Sequence, residues 1–173
     1  MRNLANYCSI DILKMAYYGL IYPHLTYGIR LWGSCAKFKF ERVFRLQKKA
    51  IRVIAKLKPR DMCRDAFRQL NLLTLPCLYM LDVILYCRFH CDLVQGSDIH
   101  NYDTRSRNIY RTSQHRTTSF EQIPSQAGVR LINMLPRCIK DSPEPKKFKF
   151  KLKSFLISNV FYSVDEFTSC RWV

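Results

Sequence analysis

Cys87-Arg-Phe-His90-Cys91 is the one metal-like cluster in the sequence. On a helix Cys87 and Cys91 share a face with His90 beside them, and Cys77 and His100 are conceivable further ligands. Structural zinc takes paired short spacings on turns, such as C-x2-C twice, whereas this cluster offers one spacing inside an apolar run. Buried free thiols fit the pattern better, so no metal is expected and Cys87, His90 and Cys91 are held only as candidates. Two-metal phosphoryl transfer needs carboxylates converging on ions about 4 Å apart. Here nine Asp and four Glu are dispersed, with no Asp-Asp pair and no aromatic-x-Asp-Asp. The adjacent acids Asp165-Glu166 read as surface residues. The five Gly are isolated at 19, 28, 33, 96 and 128, which excludes a glycine-rich phosphate loop. No Ser, Cys or Thr sits in a recognisable nucleophile context. The sequence therefore nominates no catalytic residue.

Side chains able to hold a polyanion are abundant. Over Phe40 to Leu57, at about 100° per residue, Arg42, Arg45, Lys49, Arg52 and Lys56 fall within about an 80° arc. Val43, Leu46, Ala50, Val53, Ile54 and Leu57 gather on the other side, which predicts a core face backed by a basic stripe. The stripe advances about 5.4 Å per turn, commensurate with the roughly 6–7 Å between successive phosphates of a strand. Lys48 adds to it. Between Lys37 and Arg60 ten basic residues meet one acid, Glu41.

A second candidate is the polar stretch holding His100-Asn-Tyr-Asp-Thr-Arg105-Ser-Arg107, then Tyr110-Arg111 and His115-Arg116. Arg alternating with Tyr and His suits unpaired nucleic acid, with guanidinium on phosphate and rings on bases. For Arg105 and Tyr102 an internal clamp fits equally: Asp103 and Thr104 make a turn and Arg105 pairs with a carboxylate or a helix end. Arg107, Arg111 and Arg116 are expected at the surface. Tyr17, Tyr18, Tyr22, Tyr27 and Trp32, on helices among apolar neighbours, are expected in the core.

The elements that would position these residues are helices. Ser9 to Trp32 reads as two short packed helices, capped by Ser9 and Asp11, divided at Pro23 and ended by Gly33. The basic helix closes at Lys58-Pro59, and a helix over about 61–70 follows. Pro76 opens a long, charge-poor helix through Val94 that serves as the central packing element, with Gly96 stopping it. Gly128 to Leu135 is a short helix ended by Pro136, and 141–145 is a turn. Lys146 to Val160 begins with strand-like alternation, but Phe148, Leu152, Phe155, Leu156 and Val160 repeat as a helix, which is preferred. The tail 161–167 is a short docking segment. Three regions result: a helical domain over 1–95, a polar Arg/Tyr-rich connecting loop over 96–125, and a small helical segment over 126–173 that packs on the first.

Composition bounds the rest. The 173 residues carry 29 Lys+Arg against 13 Asp+Glu, a formal net charge of +16, with 48% hydrophobic residues. That apolar content can bury enough surface to offset the ordering entropy, and the charge favours polyanions as partners. Eight Cys, several of them inside apolar helix-like runs, with no secretory segment predict a reducing compartment, cytoplasmic or nuclear, and not a secreted protein. The apolar stretches 15–33 and 78–91 are interrupted by His24, Arg30, Asp82 and Arg88, so no membrane span is expected.

Seven segments occur in a telling order: Tyr17 to Gly33 (YYGLIYPHLTYGIRLWG), Leu46 to Ile54 (LQKKAIRVI), Phe67 to Pro76 (FRQLNLLTLP), His100 to Arg105 (HNYDTR), Asn133 to Pro136 (NMLP), Phe148 to Lys153 (FKFKLK) and Phe161 to Phe167 (FYSVDEF). Together they resemble the C-terminal, post-palm region of the reverse transcriptase of jockey-like non-LTR retrotransposons, over nearly the whole chain. The departures are Ile132, where Tyr or Trp is usual before Asn133, and Phe150, where a basic residue is commoner. The resemblance implies a mainly α fold, a multi-helix thumb-like bundle with a long polar loop and a short C-terminal helical subdomain. It implies a truncated fragment of an RNA-directed DNA polymerase whose catalytic aspartates lie upstream, so the chain is not catalytic by itself and any Mg would belong to the absent palm. It implies non-specific binding of RNA, DNA or RNA–DNA hybrid through Arg42, Arg45, Lys48, Lys49, Arg52, Lys56, Arg105, Arg107, Arg111 and Arg116. The alternative is a non-functional remnant, or a structural or interaction remnant that docks on a polymerase palm domain or self-associates.

Overall fold

The computed structural model describes residues 2–99, 102 and 107–170, and their architecture is a multi-helix bundle. The first quarter holds α1 (Arg2–Ala5), α2 (Ile10–Leu20), α3 (Tyr22–Thr26) and α4 (Ile29–Trp32). The stretch after Pro23 is thus two helices. Gly28 sits between them at φ 60°, a left-handed conformation open to Gly at little cost. The basic helix α5 runs Lys37–Ile54, α6 runs Arg64–Gln69 and α7 runs Leu75–His90. A 3-10 turn (Gly96–Asp98) and α8 (Thr118–Glu121) interrupt the connecting stretch; α9 (Pro124–Asn133), α10 (Arg137–Lys140), α11 (Pro145–Asn159) and α12 (Val164–Ser169) complete the chain.

α7 is central because buried apolar residues surround most of its axis: Leu75, Cys77, Leu78, Met80, Val83, Ile84 and Cys87 are all buried. Thr74 starts it, its hydroxyl accepting from the Cys77 amide and donating to the Phe161 carbonyl at 2.6 Å. The helix ends at His90, one turn short of Val94, because the Val94 carbonyl accepts from the Arg111 amide at 2.9 Å and the chain there pairs with the returning loop. On one flank α9 lies so close that a Cβ on Gly128 would stand 2.5 Å from that of Cys87. On others lie α3, α4, α5, α11 and α12.

The run beginning Lys146 is helical, as its i, i+4 stripe requires: Phe148, Leu152 and Leu156 are buried. A single core extends from Leu13 to Phe167. The tail is tied across the fold, with Arg64 paired to Glu166 at 2.8 Å and Glu166 accepting from the Tyr162 amide at 2.7 Å. Among the described residues no helix is long and apolar enough to cross a membrane.

The aromatics of the first quarter divide. Tyr17 is buried and Tyr22 and Trp32 are half-buried, but Tyr18 and Tyr27 are exposed, against the core expectation: Tyr18 is turned about 100° round α2 from Tyr17, and Tyr27, 87% exposed, takes an extended conformation after α3.

Candidate nucleic-acid interface

α5 fixes the basic stripe, though its buried face differs from the apolar pattern. The core side is Phe44, Gln47, Ile51 and Ile54, whereas Leu46 is 59% exposed. This shifts the buried face about a quarter-turn round the helix from the one centred on Val43 and Ala50. The reason is Gln47. It is 1% exposed, its Nε2 donating to the Tyr17 hydroxyl and the Leu73 carbonyl, both at 2.9 Å, and its Oε1 accepting from the Leu75 amide at 2.8 Å. With both amide protons donated and the carbonyl oxygen bonded, an amide side chain can occupy the core. The rotation sets Arg42, Arg45 and Lys49 almost diametrically opposite the buried side. All three are exposed, and no ion pair or side-chain hydrogen bond among the described residues engages them.

The stripe becomes a concavity where the chain turns after Ile54. Lys56 takes a left-handed conformation at φ 54°, and the Leu57 amide returns to the Arg52 carbonyl at 2.9 Å, a Schellman-type end that stops the helix before Lys58-Pro59. Arg52 Nε then donates to the Asp61 carbonyl at 2.9 Å and holds the turn against the helix. Between helix and turn lies a concavity of about 630 Å³ lined by Arg45, Lys48, Lys49, Arg52, Val53, Leu57 and Pro59. No carboxylate lines it among the described residues. Lys48 is half-buried, its ammonium 4.6 Å from the Phe44 ring centre and 5.4 Å from that of Tyr162. Arg64 lies over the same Tyr162 ring at 4.5 Å. Arg42 is outside the concavity, farther toward the start of the stripe, and Lys56 is exposed beyond the helix end.

This arrangement offers several cations, an apolar floor and no countercharge. It fits an extended polyanion gripped along its backbone. Arg64, Tyr162 and Glu166 brace the region, and nothing in the local sequence marks them, since Tyr162 and Glu166 lie about a hundred residues from the helices they hold.

Around Tyr110 the polar stretch is strapped to the bundle. The Tyr110 amide donates to Asn133 Oδ1 at 2.9 Å while Asn133 Nδ2 donates to the Tyr110 carbonyl at 2.8 Å, so one side chain closes both backbone bonds. Tyr110 is 7% exposed, with Arg88 bonded to its hydroxyl at 2.9 Å and the Lys140 ammonium 4.8 Å from its ring. It is a structural anchor and not a base-stacking ring. Arg107, Arg111 and Arg116 are exposed, as expected, but none lines the α5 concavity. Arg116 borders a separate depression with Thr112, Ser113, Gln114 and His115. Tyr102 is exposed, and Arg105, with His100, Asp103 and Thr104, lies outside the described residues.

Of the cysteine cluster, Cys87 and half-buried Cys91 do share a face, their thiols in contact, but His90 does not join them. Cys87 is buried, its thiol bonded to the Ser125 carbonyl at 3.5 Å and pushed up in pKa by burial. His90 is exposed and its ring stacks on Tyr86 at 5.5 Å. Cys77 is bonded to the Leu156 and Phe161 carbonyls, and burial raises it to about 11. Among the described residues no three His, Cys, Asp or Glu side chains are grouped to hold a metal ion.

Comparison with protein-family models, with curated proteins and with solved structures finds no match to the chain.

Proposed function

We propose that the chain is a non-specific nucleic-acid-binding unit that grips the backbone of RNA, DNA or an RNA–DNA hybrid in the concavity of α5, as the thumb-like region it resembles would grip a template–primer. The observation that carries this is the meeting of Arg45, Lys48, Lys49 and Arg52 around one carboxylate-free concavity in a chain of net charge +16. Polymerase chemistry is assigned to residues outside this sequence, and the compartment to the cytoplasm or nucleus, where the substrate is. The test is a titration of a labelled RNA–DNA hybrid into the full chain at low salt. Saturable binding and a rise in melting temperature with polynucleotide support the reading; no binding to RNA, DNA or hybrid overturns it.

A second reading has its own observation. Ile12, Met15, Tyr18, Leu20, Tyr27 and Leu31 expose apolar surface along α2 to α4. α2 is apolar on both sides, which is unusual for a helix covered on one. This face suits docking on a polymerase palm domain or on a second copy. Concentration-dependent sedimentation that Met15→Glu abolishes would support it, and a monomer at every concentration would leave the palm as its occupant.

A further inference from the structure

We propose that the outer face of α11 is a second nucleic-acid surface, specific for unpaired strands, on which Phe150 stacks a base while Lys146, Lys149 and Lys153 hold the flanking phosphates.

Phe150 is 72% exposed at the middle of a helix whose opposite side, Phe148, Leu152 and Leu156, is fully buried. Burial elsewhere therefore does not explain an aromatic ring at this position. The lysines around it divide into two sets. Lys147 pairs with Glu144 at 3.0 Å, and Lys151 donates to the Cys138 carbonyl at 3.0 Å and to Ser142 Oγ at 2.9 Å, so these two brace the helix start and the preceding turn. Lys146, Lys149 and Lys153 are exposed and engage no partner among the described residues. Lys146 and Lys153, four residues before Phe150 and three after it, lie beside the ring, while Lys149, one residue before it, stands about 100° round the helix on the same flank, at the edge of a depression over α3 and α7 that Asp82 also lines. From Lys146 to Lys153 the rise is about 10 Å, room for two or three phosphates at roughly 6 Å spacing.

The chemistry selects the ligand. An exposed ring flanked by unneutralised ammonium groups is the combination that binds single strands: cations track the backbone and any base offers a π-face. In a duplex the base faces are stacked on one another, so Phe150 gains nothing there. A membrane surface fits less well, because an interfacial helix buries a broad apolar face in lipid and that of α11 is committed to the core. A second copy of the chain would bring like charge against like.

The surface lies on a different helix from the α5 concavity, so the two fail separately. The experiment is fluorescence anisotropy of the full chain with a twelve-nucleotide oligo-dT and with a DNA duplex, at low salt, for wild type, Phe150→Ala, Phe150→Trp and the triple alanine variant at Lys146, Lys149 and Lys153. Phe150→Ala is expected to weaken oligo-dT binding about 5- to 100-fold and to leave duplex binding within about twofold, while Phe150→Trp retains both. The triple variant is expected to lower the salt slope for oligo-dT by about two. An Arg45→Ala/Lys49→Ala background should weaken the duplex yet preserve the Phe150 effect on oligo-dT. Equal oligo-dT affinity for wild type and Phe150→Ala overturns the proposal, as does equal loss on both ligands. Phe150-dependent binding to phosphatidylserine vesicles with none to oligo-dT would overturn it in favour of a membrane.

Discussion

Arg52 Nε donates to the backbone carbonyl of Asp61 at 2.9 Å, so one cation of the basic stripe is spent on shaping the concavity that the others line. Arg52→Ala is expected to cost about 1 kcal/mol of stability and to loosen the turn over 55–61, whereas Arg45→Ala, with no partner to lose, leaves the melting temperature within about a degree or two. Thermal melts of the two variants side by side check this. Arg45 and Lys49 are accordingly the residues at which binding can be altered without altering the fold.

The Gln47 network welds α5 to α2 and to the start of α7. Gln47→Leu strands the Leu75 amide and the Leu73 carbonyl in the core and should cost about 2–4 kcal/mol, with Tyr17→Phe costing about 1. Urea unfolding with an unchanged m-value separates these from changes in the denatured state.

That network also sets an alkaline limit. Burial raises Tyr17 to about 12, and burial likewise raises Tyr79. In the unfolded chain a tyrosine ionises near 10. A group whose folded pKa lies above its unfolded value contributes stability that is complete below the unfolded pKa and lost as pH rises through the folded one. Stability should therefore hold up to about pH 9 and fall between about pH 10 and 12, with a smaller fall in Tyr17→Phe; circular dichroism melts against pH read it.

Two glycines make opposite predictions. At Gly128 an added methyl meets the Cys87 Cβ at 2.5 Å and the Val83 carbonyl at 3.0 Å, so Gly128→Ala should destabilise by about 1–3 kcal/mol. At Gly19, inside α2, a Cβ meets nothing within 4 Å, so Gly19→Ala should stabilise by about 0.5–1 kcal/mol. Denaturant midpoints decide both.

Much of this architecture is legible in the sequence, and the failures have particular causes. The basic stripe on α5 is readable because charge repeating at about 100° per residue needs no knowledge of partners. The buried face beside it is misplaced because Gln47 counts as polar, and its burial rests on Tyr17, Leu73 and Leu75, brought together only by tertiary structure. α7 reads too long because Leu93 and Val94 continue its apolar run, and only the pairing of Val94 with Arg111 ends it. The role of Tyr110 is hidden for the same reason: its clamp, Asn133, is 23 residues away. At α11 the alternating Lys and Phe suggest a strand until the i, i+4 stripe through Leu156 is counted.

His115 supplies a pH-dependent tether in the connecting stretch. Its Nδ1 is 2.9 Å from the Ser113 carbonyl and its Nε2 is 3.1 Å from Glu121, which also meets Arg130 at 3.3 Å. Both ring nitrogens thus face acceptors, and the imidazolium form satisfies both. The bond to the Ser113 carbonyl, then the one to Glu121, raises the His115 pKa, and the His115 bond lowers that of Glu121. With a folded pKa raised above the ordinary value near 6.5, the tether is complete below that value and lost as pH rises through the folded one. Amide exchange over 113–121 should quicken with pH beyond its intrinsic dependence, and Glu121→Gln, which leaves the Ser113 bond in place, should shrink the extra step.

The central claim is that polyanion binding is held by the α5 concavity and not by diffuse charge. The most direct measurement is the salt dependence of hybrid binding for wild type and for Arg45→Ala/Lys49→Ala, both verified to melt alike. Loss of two phosphate contacts should reduce the slope of log K against log salt by about two. An unchanged slope and affinity in the double variant would contradict the assignment and return the charge to the surface at large.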